Sequence, residues 1–164
     1  MYLASFLESG RRDFLDAVRG ATPRSALERP RRGGWSVVEC AEHVIAVENR
    51  YLGWIEEGTE IFTGRDPDRE LRLFNMVRDR STRLEAPDPV RPSGRFASLE
   101  AAVGEFQTVR NRSVQLARKQ GESLYSVGVK HPYFGDLNAV EVIQLIDAHA
   151  RRHAEQIREI CESV

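Results

Sequence analysis

The sequence predicts an all-α fold, a four-helix bundle with a long crossover between its second and third long helices, and three observations carry that prediction. Four stretches repeat apolar residues at spacings of three and four, which return to one face of a helix. Two of them open on the same pattern, Ser36 with Glu39 and Asn138 with Glu141, the spacing of a capping box. A Pro-, Gly- and Arg-rich connection over residues 58–97 separates the second long helix from the third. Helices with one apolar stripe each bury it against one another, and four such helices make a bundle.

The first helix covers residues 3–18, with Phe6, Leu7, Phe14, Leu15 and Val18 inward. Residues 21–34 hold Pro23, Pro30, Gly33 and Gly34 and are read as loop. Ser36 caps the second helix, accepting from the Glu39 N–H while the Glu39 carboxylate reaches back; Trp35 and Cys40 fit the flanking apolar positions. That helix runs to Glu57, where Gly58 stops it. Inside the crossover, Asp66 as cap and Pro67 at the first position open a short extra helix through Arg83. Pro87, Pro89, Pro92 and Gly94 mark the return loop. Ser98 caps the third long helix, which ends near Gln120 at Gly121. Residues 121–137 are read as loop, with a weak strand-like alternation over 124–129 only. Asn138 opens the last helix, which spans residues 138–160. The long connection allows helices two and three to run parallel, unlike a bundle whose short loops join antiparallel neighbours.

With 164 residues the chain is expected to form one domain. A net charge of −1 makes no electrostatic case for nucleic acid or a membrane surface. The basic residues are nearly all Arg, Lys119 and Lys130 being the exceptions, which is read as a GC-rich genome rather than as phosphate binding. No apolar run is long enough to span a bilayer, and the first residues, Met1 to Phe6, lack the basic start of a signal peptide. Cys40 and Cys161 each fall in a helical pattern, as small core residues of a reduced, cytoplasmic protein.

The last helix places two histidines within its own apolar stripe: Val142, Ile146, His149, His153, Ile157 and Ile160 share one face. A buried imidazole needs a partner. It can be a hydrogen-bonded core residue, or two imidazoles one turn apart can present nitrogens to one metal ion. His43 lies on the row Cys40, His43, Val47 and Trp54 of the second helix; if helices two and four are neighbours, it completes a three-nitrogen site. Metal–imidazole distances of about 2.0–2.1 Å would then put the three nitrogens roughly 3–4 Å apart. Neutral imidazole suits a divalent Zn, Ni, Cu or Fe. Glu39, one turn before His43, is either only the partner of Ser36 or also a catalytic base beside the metal. His131, before Pro132, is read as anchoring a loop, and Asp147, Glu155 and Gln156 as facing solvent or standing behind the ligands.

Three motifs, Trp35-Ser36-x-x-Glu39-x-x-x-His43, His131-Pro132-x-x-Gly135-x-Leu137 and His149-x-x-Arg152-His153-x-x-Gln156-Ile157, together resemble the DinB-like, YfiT-related superfamily of four-helix-bundle metalloenzymes. The resemblance covers nearly the whole chain. It implies a bundle with a long crossover and a divalent metal, Zn, Ni or Fe, held by His43, His149 and His153, with His131 and Pro132 as a loop feature. It also implies an S-transferase that joins a low-molecular-weight thiol to a small electrophile. The alternatives are a metal-dependent hydrolase with an activated water and Glu39 as base, or a metal- or ligand-binding bundle without catalysis. The expected partners are small molecules, with no nucleic acid and no membrane, and the expected state is a monomer or homodimer.

Overall fold

The computed structural model describes residues 2–31, 33–60, 64–81 and 85–163. Among the described residues, five α-helices carry the fold: α1 (Tyr2–Val18), α2 (Val37–Glu56), α3 (Pro67–Arg78), α4 (Leu99–Gln120) and α5 (Ala139–Glu162). All four starts read from caps form as the side chains dictate. Ser36 and Asn138 each accept from the amide three residues on, and Glu39 and Glu141 reach back to close both capping boxes. Asp66 accepts from the Arg69 amide at 2.9 Å, and Ser98 from the Ala101 amide at 3.2 Å.

The apolar stripes meet in one core. Leu7, Phe14, Ile45, Leu52, Phe106, Leu145, Ile146 and Ile157 are almost completely buried, each contributing roughly 1.5–3 kcal/mol relative to exposure. Phe14 and Phe106 pack with ring centroids 4.3 Å apart. Phe6 and Leu15, read as inward, are only half-buried; the Phe6 ring packs on Phe74 of α3 at 5.4 Å.

Helix α1 packs on α4 and α5, α2 packs on the same two, and α3 lies along α5. Side-chain pairs give the directions. Glu42 meets residues 93–95 just before α4, and Glu48 meets Arg110, so α2 and α4 run parallel. Phe14 meets Phe106 and Glu8 meets Arg118, so α1 and α4 are antiparallel. Arg158 of α5 pairs with Asp13 of α1, while Asp147 lies against Gly10, so those two run parallel. The bundle is therefore two parallel pairs set against each other, as the long crossover allows.

Two readings need correction. Helix α3 ends at Arg78, not Arg83, which lies outside the described residues. Asp79 leaves the helical region and accepts from the Ser81 amide and hydroxyl, a local turn that competes with continuation of the helix. Residues 121–137 are also not plain loop. A 3₁₀ segment, Gly121–Ser126, leads into an antiparallel hairpin of β2 (Val127–His131) and β3 (Gly135–Asn138). The short strand β1 (Thr59–Glu60), just after α2, pairs with β2 to complete a three-stranded sheet. In the hairpin Val129 pairs with Leu137, both facing the core, and His131 pairs with Gly135, whose φ of 72° makes the turn. The sheet covers the end of the bundle where α2 finishes and α5 begins. No helix among the described residues is long and apolar enough to cross a membrane.

Candidate metal centre

The capping box sets the register of α2 and turns His43 toward α5. His149 and His153 are one turn apart on α5, so they meet His43 together. Ring centroids stand 4.8 Å apart for His43–His149, 4.9 Å for His43–His153 and 4.6 Å for His149–His153. One nitrogen from each ring lies within 4.8 Å of the other two, and the Nε2 atoms of His43 and His149 are 3.1 Å apart. The spread is somewhat wider than the 3–4 Å read from metal–nitrogen distances, with the closest pair inside it. Among the described residues, these three histidines form a group that could hold a metal ion.

The chemistry of the donor set fits a divalent ion. The Nδ1–H of His43 donates to the Val90 carbonyl at 2.7 Å, which leaves the Nε2 lone pair for a ligand. The Nδ1–H of His153 donates to Gln156 Oε1 at 2.9 Å, with the same result. Such anchors fix ring orientation and tautomer in metal-binding histidines. Burial lowers the His43 pKa, and it pushes His149 and His153 well below the ordinary imidazole range, with the neighbouring histidines adding to the shift. Near neutral pH the rings are therefore uncharged, the form that ligates. His43 and His153 are buried, while His149 keeps partial exposure and marks the side open to solvent. The Trp35 ring lies 4.8 Å from the His43 ring and stacks at 6.1 Å on His153, covering the other side.

Glu39 lies outside this group. Its Oε2 accepts from the Ser36 amide at 2.8 Å, and the Arg29 guanidinium holds both of its oxygens. Burial opposes the Glu39 charge, but Arg29 and Ser36 outweigh it and hold the carboxyl below the usual carboxylate range. His131 is not a member of this group. Its Nδ1 accepts from the amides of Tyr133 and Phe134 at 3.1 and 3.3 Å, so Nε2 carries the proton and donates to the Tyr51 hydroxyl at 2.8 Å. It pins the hairpin turn to α2. Gln156 stands behind His153, Glu155 is partly exposed and pairs with Arg78, and Asp147 is fully buried rather than solvent-facing. Both cysteines are free; burial pushes the Cys40 thiol up to about 12, which leaves it an inert core group.

Three contributors escaped the sequence reading. Val90 and Glu42 build the loop that holds His43, and Trp35 covers two imidazoles rather than only flanking the cap. Glu42 stands next to His43 in the chain, but nothing local links it to residues 93–95, 51 to 53 positions away.

Comparison with known proteins agrees with this architecture. The YuaE protein of Bacillus subtilis (strain 168), described as uncharacterized, is 21% identical over 160 residues, covering 98% of each chain. Among solved structures, YfiT from Bacillus subtilis is described as a probable metal-dependent hydrolase with an unusual four-helix bundle topology. It superposes with a TM-score of 0.62 at 18% identity, over 98% of this chain and 85% of its own. TT2238, described as a four-helix bundle protein, gives a TM-score of 0.62 at 19% identity, over 96% of this chain and 97% of its own. At these identities the structural likeness establishes the fold. The sequence model of the DinB superfamily matches residues 7–157, nearly the whole chain, and the chain belongs to that superfamily.

Proposed function

We propose that the protein is a metal-dependent enzyme in which His43, His149 and His153 hold a divalent ion and a low-molecular-weight thiol, giving up its proton, forms a C–S bond to a small electrophile as the C–O bond of an epoxide or the carbon–halogen bond of an activated halide breaks. The observation that carries the metal reading is the convergence of three uncharged imidazoles, two of them with the outer N–H already engaged. When bound, the ion lowers the pKa of a coordinated thiol or water and supplies a nucleophile at neutral pH. The chain's own residues do the rest. Val90 and Gln156 aim two rings, Trp35 excludes water from one side, and the partial exposure of His149 leaves an approach for small molecules. The thiol reading is favoured because Glu39 is committed to Ser36 and Arg29, and an activated thiol needs no strong base. The metal ion is proposed to be Zn, Ni or Fe, and the thiol to come from a reducing cytoplasm. A hydrolytic reading, with water as nucleophile, is supported by the description of YfiT.

Metal analysis of the purified protein, followed by reaction with epoxides, activated halides and esters with and without a panel of thiols, tests both readings. A thiol adduct formed only by metal-loaded protein supports transfer; turnover independent of thiol supports hydrolysis. His149→Ala with His153→Ala should abolish metal uptake and keep the helical circular dichroism signal, because the apolar stripe survives. Metal retained by that double variant would exclude the site.

A further inference from the structure

We propose that Glu42 is a positioning residue that selects the metal-ready tautomer of His43; this rests on the metal reading above. Glu42 is buried, 6% exposed, on the turn of α2 that bears His43. Its carboxylate accepts four hydrogen bonds from a short stretch of the crossover. Oε1 takes the Ser93 amide at 2.8 Å and the Ser93 hydroxyl at 2.9 Å. Oε2 takes the Gly94 and Arg95 amides, both at 3.1 Å. One charged group thus binds successive amides of the return loop, in bonds stronger than neutral ones.

The same loop carries the 3₁₀ turn Asp88–Val90, and the Val90 carbonyl accepts the His43 Nδ1–H at 2.7 Å. An imidazole with Nδ1 protonated keeps its lone pair on Nε2, the atom facing His149. Without that acceptor, the proton would distribute between the two nitrogens. Part of the population would then point N–H into the site and be unable to ligate. Glu42 therefore acts on the ion without touching it: carboxylate to loop, loop carbonyl to His43 Nδ1, His43 Nε2 to the centre. The device also joins the crossover to the metal site, because the loop is held by the residue beside the ligand.

The experiment compares wild type, Glu42→Gln and Glu42→Ala in the full chain. Long-range ¹H–¹⁵N NMR of the metal-free protein reads the His43 tautomer, and chelator competition with Zn(II) and Co(II) reads affinity. Wild type should show one tautomer, protonated at Nδ1. Glu42→Ala should show both, with affinity lower by about 10–100-fold and helical content unchanged. Glu42→Gln keeps one acceptor oxygen and should fall between; it carries the same measurements if the alanine variant does not fold. A single unchanged tautomer in the variants, or wild-type affinity, would overturn the proposal. If wild type takes up no Zn(II) or Co(II), the metal reading fails, and the tautomer measurement alone decides whether Glu42 sets His43.

Discussion

Glu39 and His43 are one helical turn apart, and the difference in what their side chains touch separates their roles. Glu39 closes the cap and binds Arg29, so Glu39→Gln should lower stability by about 0.5–2 kcal/mol. Turnover and metal content of the folded protein should not change. Kinetics on metal-loaded protein check this; a rate loss of roughly 10²–10⁴ with metal retained would assign Glu39 as a base. Because the folded carboxyl titrates below its usual range, its stabilising effect is present above that range and lost as pH falls through the lowered value. The histidines were readable because their cues are local: a capping register for His43 and a one-turn spacing for His149 and His153. The anchors were not. Val90 is 47 positions from His43, and no periodicity relates a carbonyl in a Pro-rich loop to an imidazole on a helix. Asp147 misled for a similar reason, since a charged residue on a helix reads as solvated until its partners on other helices are known.

The hairpin is the element that the sequence concealed. Its strands are five and four residues long, and Val127, Val129 and Leu137 are their only large apolar residues, too few to mark a period of two. What holds it is tertiary: Val129 and Leu137 against the core, and His131 bonded to the turn amides and to Tyr51. Burial lowers the His131 pKa from 6.5 to about 4. The unfolded chain binds that proton first, so the contribution is complete above the unfolded value and drains away as pH falls from 6.5 toward 4. Thermal unfolding across that window should show the decline in wild type and a shallower one in His131→Asn, whose amide oxygen can still accept at the turn. An equal slope in both proteins would mean that other groups carry the acid sensitivity. The helices, by contrast, announced themselves through caps and stripes, and only the end of α3 was misplaced, where Asp79 folds back on Ser81.

Across the whole molecule, a buried charge cluster ties the four long helices together. Arg110 of α4 is fully buried and donates to Glu48 of α2 at 2.9 and 3.0 Å, to Asp147 of α5 at 3.1 Å and to the Leu7 carbonyl of α1 at 3.1 Å. Ser113 adds a bond to Glu48 at 2.6 Å, and Arg151 pairs with the outer oxygen of Asp147 at 2.6 Å. Helix α1 comes close enough that a Cβ at Gly10 would overlap the Asp147 carboxylate. Removing one member strands the others without solvent, so Arg110→Ala should cost about 3–5 kcal/mol. Urea unfolding measures this, and a loss under about 1 kcal/mol would show that water reaches the cluster. The four-helix class and the long crossover were readable from helix number and loop length; the pinning of the helices by Arg110 was not, because an arginine in a helix carries no mark of being inside. The placement of its histidines on α2 and α5 also sets when the histidine centre can exist. His43 and His149 are separated by 106 residues. At a synthesis rate of about 5–20 residues per second, roughly 5–20 s pass between the translation of the two. During that interval the nascent chain displays a single histidine of the three and has little hold on a metal ion. On the metal reading, loading is thus a late event, open only to a chain whose last helix has left the ribosome and docked.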